Sequence, residues 1–221
     1  MSTAVAVSFW ALAVACAATA LRAAHPDGLE GPPRPRPATV TLWLLVAVPS
    51  VLQTCVPGLL AALERDWRLV AGGQVWRLAT SVVVQDGGVA GTVFNLFALA
   101  VVAVAAQEYW SASRTWATFW LGAVAANLVV GPVLEPVGAG SSMATFALGG
   151  ALVTNALLGR TRSHAVPAAL VALACVAVVA AGRDYHALPC LLGLAVGTVP
   201  PHGPRGLSRR GSRPRGSSDG R

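Results

Sequence analysis

Two polar residues stand at the beginnings of apolar segments and could do chemistry together. Ser142 lies in GSSMATFALGG (residues 140–150), and His186 lies in DYHALPCLLGLAVG (residues 184–197). A serine hydroxyl is a weak nucleophile until an adjacent base takes its proton, and histidine can supply that base. An ionisable side chain at membrane depth is a functional hypothesis by default. The pair therefore predicts an activated nucleophile, provided that the fold brings the two segments together.

The residues around the serine favour Ser142 over its neighbour Ser141. Gly140 precedes Ser142 by two positions, and Phe146 and Gly149 follow it by four and seven. Positions i, i+4 and i+7 share one face of a helix. Serine is also a preferred helix N-cap, so plain capping is the alternative interpretation of both serines.

The histidine segment carries its own small-residue face. Gly193 and Gly197 lie seven and eleven residues after His186 and form a GxxxG pair, which lets two membrane helices approach closely. A nucleophile and its base must come within about 3 Å, so we expect these glycines to pack the two helices together. His186 could instead be a solvated residue at a helix start.

The elements that must position these residues are membrane helices. Of the 221 residues, 55% are hydrophobic and only 11% are charged, and the mean hydropathy is +0.62. A soluble domain has roughly 25% charged residues, so the composition predicts a polytopic membrane protein. All 16 basic residues are arginine, and no basic face with interleaved aromatic residues predicts nucleic-acid binding. The four cysteines have neither zinc-site nor CxxC spacing.

Seven apolar segments are long enough, or nearly long enough, to span a bilayer. They are residues 3–24, 39–62, 89–107, 116–134, 142–159, 166–181 and 185–199. No basic residue precedes Arg22, which favours a retained N-terminal helix over a cleaved signal peptide. The predicted organisation is an extra helix at 1–24, a Pro/Arg linker at 25–38, a six-helix membrane domain at 39–199 and a disordered basic tail at 200–221.

The arginines predict the orientation. Cytoplasmic loops of membrane proteins are enriched in basic residues, and segments 25–38, 108–115, 160–165 and 200–221 all carry arginine on one side of a seven-span chain. The loop at 63–88 is the exception, with three arginines partly offset by acidic residues. We therefore expect the N-terminus outside, the tail in the cytoplasm near anionic lipid, and Ser142 and His186 at the outer face. A plasma-membrane location is expected.

Four stretches in order resemble the rhomboid family of intramembrane serine proteases over about residues 65–197. They are WRLATS (Trp76 to Ser81), VFNL (Val93 to Leu96), GSSMATFALGG and DYHALPCLLGLAVG. The resemblance implies an all-α, polytopic fold, with a rhomboid-like six-helix bundle plus the extra N-terminal helix.

The resemblance also implies roles for individual residues. Ser142 would be the nucleophile and His186 the general base, with the Ser142 backbone N–H and the Asn95 amide forming the oxyanion hole. Phe146 would stack on the histidine ring, and no acidic residue is evident as a third member of the catalytic unit. Gly140, Gly149, Gly193 and Gly197 would serve helix packing. The implied partners are transmembrane substrates, and no metal, nucleotide or other cofactor is implied.

Three departures from the family pattern keep an alternative open. Many active rhomboids have a histidine four residues before the asparagine, where this chain has Gly91, and a glycine after the nucleophile, where it has Met143. Aligning the GLAVG stretch with the family glycines puts Cys190 at the base position instead of His186. The alternative is an inactive rhomboid-like protein that binds client helices without cutting them; a transporter or scaffold is a third possibility.

Overall fold

The computed structural model describes residues 3–159, 162–182 and 184–198. The elements in chain order are α1 (Thr3–Ala24), α2 (Pro37–Leu52), α3 (Leu59–Leu63), β1 (Arg65–Asp66), α4 (Trp67–Ala71), α5 (Arg77–Thr80), a 3-10 turn (Ser81–Val83), α6 (Gly88–Tyr109), α7 (Ala112–Val130), β2 (Val137–Gly138), α8 (Ser142–Leu158), α9 (Arg162–Ala181) and α10 (Ala187–Val196). The described part contains seven helices of ten or more residues. The predicted all-α class is confirmed, since the two short strands form only one antiparallel pair.

The predicted spans agree with the long helices, except for the second. The segments predicted at 3–24, 89–107 and 142–159 coincide with α1, α6 and α8 to within two residues. The segment predicted at 39–62 is wrong in its second half, because α2 ends at Leu52 and a turn leads into α3. Gly58 adopts a φ of +81° there, a left-handed conformation that stops a continuous helix.

Three stretches of the described chain are long and apolar enough to cross a membrane. They are Val7–Ala24, Gly88–Tyr109 and Arg162–Ala181. The helices α2, α8 and α10 are apolar but shorter. At 17 residues, α8 lies at the lower limit of about 17–25 residues for a spanning helix.

The centre of the bundle is α8, in which nearly every side chain is buried. It packs against α10, α7, α1 and α6. At the end of α10, Gly193 and Gly197 face α8. A Cβ added at Gly193 would overlap the Ala147 carbonyl oxygen, and one added at Gly197 would stand 2.6 Å from the Ala151 carbonyl oxygen. Only glycine permits this approach of two backbones.

The loop between α2 and α6 is a folded cap over one end of the bundle. Arg77 is buried, and its guanidinium donates to the carbonyl oxygens of Ala61 at 2.9 Å and Glu64 at 2.7 Å. The pairing of β1 with β2 ties this loop to the segment just before Ser142. The tail predicted at 200–221 lies outside the described residues, as do Arg160 and Arg183.

Candidate active site

The backbone before α8 presents Ser142 to a cavity. Gly140 has a φ of +142°, and its N–H donates to the Ser81 carbonyl at 2.8 Å. A Cβ at Gly140 would stand 3.1 Å from the Asn95 amide nitrogen and 3.7 Å from the Ser142 Oγ. Glycine is therefore required there by both conformation and space. Ser141 is fully buried and does not line the cavity, whereas Ser142 does.

The cavity measures about 370 Å³ and gathers most of the residues singled out in the sequence. Those that line it are Ser142, His186, Asn95, Phe146, Gly140, Gly91 and Met143. The other glycines lie elsewhere: Gly193 and Gly197 are at the contact of α10 with α8, and Gly149 faces Cys16 of α1. The fold thus brings Ser142, His186 and Asn95 to one cavity.

An acidic residue holds the histidine, contrary to the expectation that none was available. His186 Nδ1 lies 2.6 Å from the Asp184 carboxylate, which also accepts the His186 backbone N–H at 3.0 Å. This hydrogen bond from the imidazole holds the pKa of the Asp184 carboxyl below its usual range, against the opposing effect of burial. Because a carboxylate only accepts, Nδ1 carries the proton and neutral His186 keeps Nε2 as an acceptor.

The aromatic neighbours of the histidine also differ from expectation. The His186 ring stacks on Tyr185, with centroids 4.3 Å apart, and meets the edge of Phe9 at 5.2 Å. Within the described residues, Phe146 stacks on Phe9 at 5.7 Å and makes no ring contact with His186. The stacking role assigned to Phe146 is therefore held by Tyr185. Burial raises the pKa of Tyr185 to about 12, so its phenol stays protonated.

Within the described residues, Ser142 and His186 line the same cavity with no hydrogen bond between their side chains. Among the hydrogen bonds of the described residues, none joins the Ser142 hydroxyl to the His186 ring. Catalytic hydrogen bonds are often long in a free enzyme and shorten when substrate binds. Both side chains line the same cavity, so each is open to a molecule that enters it.

A glutamine that the sequence did not single out fixes the predicted oxyanion donor. Asn95 Nδ2 donates to the Gln85 side-chain oxygen at 2.6 Å. Gln85 is itself buried, donates to Ser50 at 3.1 Å and exchanges backbone hydrogen bonds with the Gln53 amide. One N–H of Asn95 is therefore held, and the other is available to the cavity. A polar residue ending a valine run was the only sequence signal for Gln85.

Two of the three departures from the family pattern, Gly91 and Met143, have different structural consequences. A Cβ at Gly91 would meet nothing within 4 Å, so the missing histidine leaves open space on the α6 side of the cavity. Met143 is buried, and its sulfur lies 3.9 Å from the Arg65 guanidinium. The methionine therefore packs into the wall of the cavity.

A buried cation supports that wall. Arg65 is 1% exposed, and its guanidinium donates to the Asn127 side-chain oxygen and to the Glu135 carbonyl at 2.5 Å. Asn127 in turn donates to the Leu78 carbonyl at 2.7 Å and to Ser81. Burial lowers the pKa of Arg65. The network ties α7 to the loop between α2 and α6 beside Ser142.

The competing candidate for the base lies behind the cavity. Cys190 is 2% exposed and packs in an apolar cluster with Cys16 and Phe146, and it is absent from the cavity lining. His186, one turn earlier in the chain, lines the cavity. No group of three or more His, Cys, Asp or Glu side chains in the described part of the chain is placed to hold a metal ion.

A family model described as Rhomboid domain matches residues 72–198, more than half of the chain. The chain belongs to the rhomboid family. The four stretches that carry the resemblance all lie inside the matched range, and the rhomboid domain with its apolar helices makes this an integral membrane protein. No curated protein and no solved structure matches this rhomboid chain. The helices α1 to α4 precede the matched rhomboid domain.

Proposed function

We propose that this rhomboid is an intramembrane serine endopeptidase that cleaves membrane-anchored proteins near the outer face. The observation that carries the proposal is the single cavity lined by Ser142, His186 and Asn95, with Asp184 on the far nitrogen of the histidine. This arrangement has the parts of a Ser-His-Asp unit: a nucleophile, a base and a group that orients the base.

In the first half of the reaction, the Ser142 Oγ attacks the carbonyl carbon of the scissile peptide bond. His186 Nε2 accepts the hydroxyl proton as the new C–O bond forms. The tetrahedral intermediate collapses when the C–N bond breaks, and Nε2 gives its proton to the departing amine. The product is an acyl ester on Ser142.

In the second half, water attacks the ester and loses a proton to His186 Nε2. The C–O bond to Ser142 then breaks, and the proton returns to Oγ. The negative oxygen in both halves is stabilised by the Ser142 backbone N–H, which is free at the first turn of α8, and by the free N–H of Asn95.

We place Ser142 at the outer face of the plasma membrane, with the N-terminus outside and the tail in the cytoplasm. The arginine distribution supports this orientation. A reporter active only in the cytoplasm, fused after Gly203, should be active. A silent reporter in inserted protein would require a different number of spans.

A second candidate function is client binding without cleavage. Two observations favour it: Gly91 supplies no donor to the oxyanion site, and no hydrogen bond joins Ser142 to His186 within the described residues. On this alternative, client helices co-purify with the protein and none is cut.

The test of the enzyme is a serine-directed fluorophosphonate probe on detergent-solubilised protein. Ser142→Ala and His186→Ala should each abolish labelling and cleavage of a single-span reporter substrate, because members of a catalytic unit act together. Asn95→Ala should slow cleavage by about 10²- to 10³-fold.

The chain offers matched controls for both residues. Ser141→Ala should label normally, since the Ser141 hydroxyl is buried and has no hydrogen-bond partner among the described residues. Cys190→Ala should keep most activity. If Cys190→Ala is inactive and His186→Ala is fully active, the other register is correct and the hydrolase loses its base.

A further inference from the structure

Another cavity lies between α1 and α9, at the ends of these helices that are remote from Ser142. Both helices have their other ends near the catalytic cavity: Phe9 of α1 lines it, and α9 ends at Ala181, three residues before Asp184. Arg22 follows Phe9 by 13 residues, which at 1.5 Å per residue separates them by about 20 Å along α1. This space of about 420 Å³, which we call the α1–α9 cavity, therefore lies at the opposite end of the bundle.

The walls of the α1–α9 cavity come from the turn that ends α1 and from the first turns of α9. The end of α1 supplies Arg22, His25 and Gly28, and α9 supplies Ser163, His164 and Pro167. Gly28 has a φ of +99°, and its N–H donates to the His25 carbonyl at 3.1 Å. This left-handed residue turns the chain sharply after α1, so that the turn faces the start of α9.

The ionisable residues that line the α1–α9 cavity are all basic. Arg22 is exposed, and no ion pair among the described residues includes it. His25 Nε2 lies 3.4 Å from the Glu108 carboxylate, but neither Glu108 nor the exposed Asp27 and Glu30 line the cavity. Within the described residues, the lining thus has a guanidinium and two imidazole rings and no carboxylate. A guanidinium that lacks a carboxylate partner can bind the oxygens of a phosphate through paired hydrogen bonds.

The α9 wall of the cavity also offers a hydrogen-bond acceptor. Pro167 has no backbone N–H, so the Ser163 carbonyl four residues earlier lacks the donor that a helix otherwise supplies. Both residues line the cavity. A ligand that matches the cavity therefore combines an anionic group with a hydroxyl or amine donor.

Next to the cavity, α9 exposes apolar side chains. Val166 is 38% exposed and Leu170 is 61% exposed. They follow Ser163 by three and seven positions, so the three residues share one face of the helix. In an integral membrane protein, exposed apolar side chains contact lipid tails. A polar cavity that continues into an apolar strip matches a phospholipid, whose headgroup continues into its acyl chains.

We propose that the α1–α9 cavity binds the phosphate group of an anionic phospholipid whose headgroup carries hydroxyl donors, as in phosphatidylglycerol. Arg22 pairs with the phosphate oxygens, a headgroup hydroxyl donates to the Ser163 carbonyl, and the acyl chains lie along Val166 and Leu170. Basic pockets between membrane helices bind anionic headgroups in this way. The lipid would join α1, which precedes the matched rhomboid domain, to α9 within that domain. This site is independent of the protease function.

The first test is a lipid titration of the full chain in a non-ionic detergent, with bound lipid counted by native mass spectrometry. Phosphatidylglycerol should bind at least five-fold more tightly than phosphatidylcholine, which has the phosphate but neither a net charge nor a hydroxyl donor. Arg22→Gln should weaken phosphatidylglycerol binding by about five-fold or more, the effect typical of one basic residue near anionic lipid. Equal affinity for the two lipids would overturn the proposal.

The matched control is Arg162→Gln. Arg162 is exposed and begins α9 at the same end of the bundle, but it does not line the cavity. This variant loses the same charge and should keep most of the affinity for phosphatidylglycerol. If Arg22→Gln and Arg162→Gln bind the lipid equally well, binding belongs to the basic surface as a whole and the proposal is wrong.

The second test fills the cavity without a change of charge. Ser163→Phe should weaken phosphatidylglycerol binding as much as Arg22→Gln does. Because a ligand of the folded state stabilises it, phosphatidylglycerol should raise the melting temperature of the native chain and of Arg162→Gln, and raise it less for the two cavity variants. An equal rise in all four proteins would place the lipid elsewhere.

A soluble arm separates a lipid from a free phosphate ester. Glycerol 3-phosphate has the same phosphate and hydroxyl groups without acyl chains. It should give no measurable rise in melting temperature at the concentration at which phosphatidylglycerol saturates the site. An equal rise would show that the acyl chains contribute nothing, and the lipid part of the proposal would be wrong.

Discussion

The central helix α8 packs against α10 and against α1 in two different ways. The contact with α10 is backbone against backbone: a Cβ at Gly193 would overlap the Ala147 carbonyl oxygen, and one at Gly150 would overlap that of Cys190. The contact with α1 runs through side chains, since a Cβ at Gly149 would meet the Cys16 side chain at 3.0 to 3.1 Å. The first contact fixes His186 relative to Ser142, and the second can adjust through the Cys16 side chain.

The largest effect should come from breaking the α10 contact. Gly193→Ala places a methyl group against backbone that cannot yield, so α10 and His186 should shift away from Ser142. A displacement of about 1 Å can cost roughly 100-fold in rate. We expect at least that loss in cleavage, and a lower melting temperature in detergent. The control is Gly31→Ala, because a Cβ at Gly31 meets nothing within 4 Å. Equal activity of the two variants would contradict the idea that the α10–α8 contact positions His186.

The next effect concerns the residue that orients the base at the start of α10. Asp184→Asn removes the carboxylate that holds the His186 Nδ1 proton, so cleavage should fall by about 10- to 100-fold. The fall should be smaller than the ~10⁴-fold loss caused by the same change at a fully buried carboxylate, because the Asp184 side chain is 20% exposed. Undiminished cleavage by Asp184→Asn would mean that Asp184 only shapes the turn.

The same substitution should change acid stability in a known direction. The pKa of Asp184 is lowered in the folded protein, chiefly by the hydrogen bond from His186, so its contribution to stability is present above its ordinary pKa of about 4 and is lost as the pH falls through the folded value. Melting temperatures measured from pH 6 to pH 3 should fall more steeply for the native protein than for Asp184→Asn.

A smaller effect, this time an increase in turnover, should come from filling the open space at Gly91 on the α6 side of the cavity. Gly91→His fits into space where a Cβ meets nothing, and it adds a second side-chain donor near Asn95. Since one oxyanion donor is worth about 10²- to 10³-fold when optimally placed, we expect a rise in turnover of roughly 10-fold for an unoptimised one. Gly91→Leu, which fills the space without adding a hydrogen-bond donor, should show no rise in turnover. An equal rise would mean that the filled volume, and not the donor, causes the effect.

The smallest effect should come from loosening α1. Gly149→Ala brings a methyl group to about 3 Å from Cys16, a side chain that can yield by a few tenths of an ångström. We expect a slightly lower melting temperature in detergent and unchanged cleavage, because Cys16 lies outside the cavity lining and its side chain can move aside. Gly122→Ala, where a Cβ would stand 2.6 Å from the Ala147 Cβ, should lower the melting temperature more.

The sequence by itself determined the helices and the order of the chemical residues. Runs of apolar residues and turn-forming Pro and Gly are local signals, so most of the long helices, the glycine face of α10 and the position of Ser142 at a helix start could be predicted. The family could also be predicted, because its motifs are short and contiguous. The early end of α2 was missed because residues 53–62 are apolar enough to continue a span, and the left-handed Gly58 is visible only in the backbone.

Only the tertiary structure decided which side chains meet in the cavity. Gln85 holds Asn95, and Tyr185 stacks on His186 in place of Phe146. Phe9, which precedes Ser142 by more than 130 residues in the chain, also lines the cavity. Hydropathy alone cannot predict this, because helices that are apolar on every side have no polar face to show which neighbour they pack against. The order is decided by where two backbones can approach, which depends on the facing residues of both helices at once.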